Sequence, residues 1–308
     1  MLSLPREEPD PGEPQSVEDE VSPAGRNNDT VNTEKAVVLL CQGNEVLDTV
    51  ECSFRPLVPL LANIGDRLVL FLGSADDSRL RLYEVSRDDG PQLSETSLEG
   101  RDIEESLTFD SCVMGLDATT RAGGHVVLAV GCQDGTVRLV LIDNNMQHVT
   151  DTTFIIDGPV VSLHLTEAQS RIRLLAGSMC GFAMYAAWEP DVALDGPHMV
   201  SDDTLWNSVT GREDSVLAVC SRDALVVVGT HSGRLLAYRR ISVPDTRYEL
   251  FWQCQLPYSV YEIVVAEARE VLVTTRWSLH RFVPCVATVD FDAHMAKTRL
   301  QALLQQSK

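Results

Sequence analysis

The sequence predicts an all-β fold, a β-propeller of four-stranded blades, and three observations carry the prediction. First, VVLAVGCQDGTVRLVLID (Val126–Asp143) reads as two strands joined at Asp134-Gly135, because Asp and Gly tolerate the positive φ of a tight hairpin turn. Within the second strand, Val137, Leu139 and Leu141 alternate with Thr136, Arg138 and Val140, so one face is more apolar than the other. Second, the unit recurs as Leu68–Tyr83, Val127–Leu141, Leu174–Tyr185, Leu225–Tyr238 and Val271–Phe282. Each is an apolar run, a small residue, a polar turn and an alternating strand that usually ends on an aromatic. Third, the small residues Gly73, Gly131, Gly177, Gly229 and Thr275 are 58, 46, 52 and 46 residues apart, close to the size of a propeller blade.

The segments between the hairpins supply the remaining strands. Ser111–Asp117, Pro159–Leu165, Asp214–Cys220 and Val260–Val265 each approach a hairpin as an apolar alternating strand. Thr153–Ile156 and Leu250–Gln253 read as outer strands. Ala36–Cys41 and Glu45–Phe54 read as two strands of a partial blade ahead of five clear ones, a pattern that also suits an incomplete seven-bladed ring. Arg87–Ser106 and Glu189–Asp203, acidic or containing Pro and Gly, are expected as surface loops at blade junctions.

The propeller is expected over residues 35–291. Residues 1–34 hold nine acids against Arg6 and Arg26, five prolines and no aromatic. Such a segment cannot bury enough apolar surface to offset its chain entropy and is expected to be a disordered acidic tail. At the other end, in residues 292–308, Met295, Leu300, Leu303 and Leu304 are spaced for one face of a short amphipathic helix. That helix would dock on its own propeller or on a partner.

Composition excludes several functions. The net charge of −20 repels nucleic-acid backbones and anionic membrane surfaces. No run reaches the roughly 18 apolar residues of a membrane span, and the N-terminal stretch does not read as a secretory signal. The eight cysteines, none in a C-x-x-C pair, are expected to be reduced thiols of a cytoplasmic protein.

Chemistry-bearing motifs are sparse. Gly177–Gly181 matches G-x-S-x-G but lies between two strands, so it is read as a hairpin turn and not a nucleophile elbow. The histidines, among them His164 in a strand and His231 in a turn, show no metal-ligand spacing. Asp76-Asp77 and Asp202-Asp203 lack the alternation of a calcium loop. No catalytic, cofactor-binding or metal site is expected; a propeller enzyme would need acids or histidines converging in a central channel. The large contacts are tryptophans: Trp252 is expected in the core, while Trp188 and Trp206, in or beside loops, are expected to pack in the core or against loops, with exposure as interface anchors the alternative.

Read as a series, Phe71–Glu84, Val130–Asp143, Asp157–Leu165, Leu174–Tyr185, Ser215–Arg240, Glu249–Leu256 and Thr298–Gln306 resemble the kaptin family, in the same order and at similar spacing. The resemblance implies a propeller without enzymatic activity. It implies a subunit of the KICSTOR complex, beside a second propeller protein and a large scaffold subunit. That complex recruits GATOR1 to the lysosomal surface and restrains TORC1 signalling when nutrients are scarce. It also implies an alternative role as an actin-filament-binding protein of lamellipodia and stereocilia, with neither nucleic acid nor membrane insertion involved. Two features depart from the family. About two blades precede the matched region there, against an acidic tail and half a blade here. The acidic stretch before the family's penultimate hairpin is replaced by Ser221–Gly229, so no calcium is expected at that place.

Overall fold

The computed structural model describes residues 36–283 apart from 87–90, 99–101, 122, 169–170, 191–193, 201–205, 208–211, 242–246 and 267–269. Strands β1 (Ala36–Gln42) and β2 (Glu45–Cys52) form a two-stranded hairpin. Blade one is β3 (Pro56–Ile64), β4 (Arg67–Ser74), β5 (Leu80–Ser86) and β6 (Gln92–Glu95), followed by the single turn of helix α1 (Ile103–Ser106). Blade two is β7 (Val113–Thr120), β8 (Val126–Cys132), β9 (Thr136–Ile142) and β10 (His148–Ile155). Blade three is β11 (Val160–Ala168), β12 (Arg171–Ser178), β13 (Ala183–Trp188) and β14 (Asp195–Met199). The short pair β15 (Trp206–Asn207) and β16 (Arg212–Glu213) precedes blade four, which is β17 (Val216–Arg222), β18 (Leu225–Thr230), β19 (Arg234–Ile241) and β20 (Arg247–Gln255). Blade five has three described strands, β21 (Val260–Val265), β22 (Val271–Thr275) and β23 (Leu279–Phe282). The five-bladed β-propeller arrangement expected from the repeat is therefore present, and every neighbouring pair within a blade is antiparallel.

Apolar side chains hold the blades face to face. On β8, Val126, Leu128 and Val130 point towards blade one, while Val127 and Ala129 point towards blade three. On β9, Val140 and Ile142 take the first side, and Val137, Leu139 and Leu141 take the second. The central hairpin thus has two apolar faces, not one, because a middle blade is packed on both sides. Further layers join blades three and four through Leu175, Tyr185, Val228 and Tyr238, and blades four and five through Val227, Leu235, Val260 and Val273. The β1–β2 hairpin covers the remaining face of blade one with Cys52, Val38 and Val50 against Leu70, Leu72 and Tyr83.

The recurring glycines set the blade spacing. A Cβ on Gly131 would meet Val160 Cγ1 at 2.6 Å, one on Gly177 Val216 Cγ1 at 2.5 Å, and one on Gly229 Val260 Cγ1 at 2.3 Å. At Gly73 the nearest atom of the next blade is the Val113 carbonyl oxygen, at 3.0 Å. Each of these valines opens an inner strand and is fully buried. A register shift follows each one, a bulge that turns the start of the inner strand onto the preceding blade. Thr275 holds the equivalent place in blade five, where no further described blade follows.

Backbone hydrogen bonds repeat with the same period. Ala75, Gln133, Met179 and His231 each donate an N–H to a carbonyl just ahead of or at the start of their own blade's inner strand, at Arg55, Cys112, Pro159 and Ser215, all at 2.9 Å. Inner strands contact one another in the succession β3, β7, β11, β17, β21, and no comparable contact returns from β21 to β3 among the described residues.

Several expectations need correction. The two long excursions are not plain loops: Arg87–Ser106 contains β6 and α1, and Glu189–Asp203 contains β14. Both strands lie at the outer edge of a blade, where one side faces solvent and apolar alternation is not required. Trp188 packs as expected, buried in the layer between blades two and three at 3% exposure. Trp252 is not core: it is 37% exposed on the outer edge strand β20. Asp202-Asp203, Cys285, the acidic tail and the amphipathic helix lie outside the described residues, as does the side chain of Trp206.

Candidate functional site

Two features offer function: a cavity along the inner strands and an exposed aromatic surface on the last two blades. The cavity, of about 520 Å³, is lined by β7, β11, β17 and β21. Its walls are joined by polar side chains. Asp117 Oδ2 on β7 accepts the Leu165 N–H of β11 at 2.6 Å, Ser162 Oγ on β11 accepts the Val219 N–H of β17 at 2.9 Å, and Arg222 on β17 donates to the Val265 carbonyl of β21 at 3.2 Å. Splayed inner strands cannot pair with one another, so side chains satisfy backbone groups that a continuous sheet would satisfy.

Asp117, His164 and Cys220 come together in this wall. His164 Nδ1 lies 3.9 Å from Asp117 Oδ2, and Nε2 lies 3.8 Å from Cys220 Sγ and 2.9 Å from the Ser221 carbonyl oxygen. A carbonyl can only accept, so Nε2 carries a proton. Burial pushes the Asp117 carboxyl up, against hydrogen bonds from Leu165 and Ala118 and the nearby imidazole, which pull it down. Burial also works against charge on His164, but Cys220, Asp117 and the Ser221 carbonyl outweigh it and raise the imidazole. A tight ion pair would lower the acid; at 3.9 Å the contact is long and desolvation prevails at Asp117. These three residues are separated by 47 and 56 positions, from one inner strand to the next, and only the repeat register could have brought them together on paper.

The aromatic surface lies on blades four and five. Phe251 and Trp252 on β20 are 52% and 37% exposed, and Trp277 and Leu279 at the β22–β23 turn 69% and 67%. Trp252 packs edge-on against Phe282 of β23 with ring centroids 5.4 Å apart, and the Arg276 guanidinium sits 4.9 Å from the Trp277 ring centroid. Of the tryptophans, Trp277 is the most exposed with a described side chain, and the sequence reading did not single it out.

The other flagged residues are structural. Asp76 accepts the Arg55 N–H at 2.6 Å, and Asp77 pairs with Arg81 at 2.6 Å. Residues 179–182 form the turn between β12 and β13, and His231 lies in the β18–β19 turn. The seven described cysteines are free thiols, Cys41 and Cys180 exposed and Cys52, Cys132 and Cys220 buried.

Comparison with known proteins bears on the sequence and on the fold separately. No protein-family model matches the chain. Over 229 residues it is 31% identical to the KICSTOR complex protein kaptin of Mus musculus, a match covering 66% of this chain. The chain is kaptin-like. Its match spans about half of mouse kaptin, 51% of that protein's length. Among solved structures, BBS1N in complex with ARL6DN, soaked with lead, superposes with a TM-score of 0.54 over 80% of this chain and 71% of that one, at 12% identity. Saccharomyces cerevisiae Sqt1 gives 0.52 over 78% and 61%, at 14% identity. At such identities these two likenesses speak for the fold alone, whereas the likeness to kaptin reaches the sequence itself. The kaptin likeness and the propeller fold together imply protein–protein interaction in general.

Proposed function

We propose that this chain is a non-catalytic propeller scaffold acting as a kaptin-like subunit of KICSTOR, which recruits GATOR1 to the lysosomal surface and restrains TORC1 when nutrients fall. The observation that carries the scaffold reading is the exposed aromatic surface: Trp252 and Trp277 stand out of blades four and five, and exposed Trp is a typical interface anchor. The likeness to kaptin supplies the complex, and its partners are a second propeller protein, a large scaffold subunit and, through them, GATOR1. The net charge of −20 weighs against direct binding to actin filaments, which are themselves acidic.

Affinity purification of the tagged full chain from nutrient-starved cells, with quantitative mass spectrometry, tests the reading. KICSTOR subunits are expected with the wild type and depleted with Trp252→Ala, Trp277→Ala together. Recovery of no KICSTOR subunit would overturn the assignment to that complex, and sedimentation with purified filaments would favour the actin role instead.

A further inference from the structure

We propose that Cys220 is a modification site, a thiol in the wall of the inner cavity that a small hydroperoxide oxidises to the sulfenic acid with help from His164 and Asp117. The geometry supplies three parts. The sulfur is the nucleophile; the imidazole nitrogen 3.8 Å away carries a proton held by the Ser221 carbonyl; and the Asp117 carboxyl stands on the far side of the ring. Asp117 is itself fixed by the Leu165 and Ala118 N–H groups at 2.6 and 2.8 Å, so the ring's neighbour is held by backbone. The raised imidazole is consistent with a proton resident on the ring.

The step balances without any further reagent. The Cys220 sulfur attacks the nearer peroxide oxygen, an S–O bond forms and the O–O bond breaks. The departing hydroxide takes the Nε2 proton from His164 and leaves as water, and the proton of the thiol replaces it on Nε2, so the ring ends as it began. Sulfur loses two electrons and the peroxide gains them.

The same molecule holds burial-matched controls. Cys220 is 5% exposed, Cys52 4% and Cys132 1%, and neither of the latter borders this cavity. Burial raises the Cys52 thiol and pushes the Cys132 thiol up to about 12. The experiment exposes the native full chain to hydrogen peroxide, traps sulfenic acid with dimedone and quantifies each cysteine by mass spectrometry. Cys220 is expected to label at least about tenfold faster than Cys52 and Cys132, and His164→Asn to slow Cys220 about tenfold while leaving the exposed Cys41 and Cys180 unchanged. Equal labelling of the three buried thiols in the wild type overturns the proposal, and that comparison needs no variant to fold. Unchanged Cys220 labelling in folded His164→Asn also overturns it, leaving access through the cavity as the whole cause.

Discussion

Gly131 and Val160 are packed so closely that a single added carbon on the glycine would sit 2.6 Å from the valine Cγ1. The contact joins the end of the second strand of blade two to the first residue of blade three. It recurs at Gly177 with Val216 and at Gly229 with Val260, so the glycine in each repeat is there for interblade distance and not for turn geometry. The positive-φ glycines lie elsewhere, as at Gly135 in the β8–β9 turn.

Alanine at Gly131 or Gly229 is therefore expected to destabilise by about 1–3 kcal/mol, the usual result of overpacking a filled core. Thr275→Ala, at the equivalent place with no following described blade, is expected to cost less than the glycine substitutions. Urea denaturation of the three variants makes the comparison; equal losses would remove the packing explanation.

The tryptophans separate stability from binding. Trp188→Ala empties a buried position between blades two and three and is expected to cost about 3–5 kcal/mol. Trp277→Ala removes a side chain that is 69% exposed and is expected to change the melting temperature little while weakening partner capture. Differential scanning calorimetry beside the affinity purification reads both effects.

Asp214 is 6% exposed, and its carboxylate accepts the Ser232 N–H at 3.0 Å and the Ser232 hydroxyl at 2.5 Å. These bonds tie the entry to β17 to the β18–β19 turn. Asp214→Ala is expected to cost about 1–3 kcal/mol, since it removes two hydrogen bonds to a buried carboxylate. Ser232→Ala removes only the hydroxyl bond and is expected to cost less. Chemical denaturation of both variants tests the ranking.

Acid should loosen the β9–β10 turn. The Asp143 carboxylate accepts the Gln147 and Asn145 N–H groups, each at 2.8 Å, and these bonds hold its pKa below the ordinary aspartate value. A depressed folded-state pKa stabilises above the unfolded value of about 3.8, and that stabilisation is lost as pH falls through the folded value. Asp143→Ala should thus be less stable than wild type above the ordinary aspartate pKa, with the gap closing as pH falls below it. A gap independent of pH would show that the carboxylate charge is not what holds the turn.

Much of the fold was legible because its signals are local. Alternation at Val137–Leu141, the Asp134-Gly135 turn and the glycine period are all read within one repeat, and β21 falls on the predicted Val260–Val265. The edge strands β6 and β14 were hidden because an outer strand has little apolar face to display. Trp252 was misjudged for a related reason. ELFWQCQL looks like core, yet β20 is an edge. Asp117, His164 and Cys220 were invisible as a group, since no local spacing connects residues on three successive inner strands.

Among the described residues the inner strands contact one another as a row from β3 to β21. In such a row each unit draws its stability from its immediate neighbours, and end units have fewer of them. Blades two to four, flanked on both sides, should exchange their amide hydrogens last, and blade five should fray before any of them. The surface carrying Trp277 and Leu279 would then be the part of the molecule that a docking partner stabilises most, so binding there would register as slowed exchange through β21–β23.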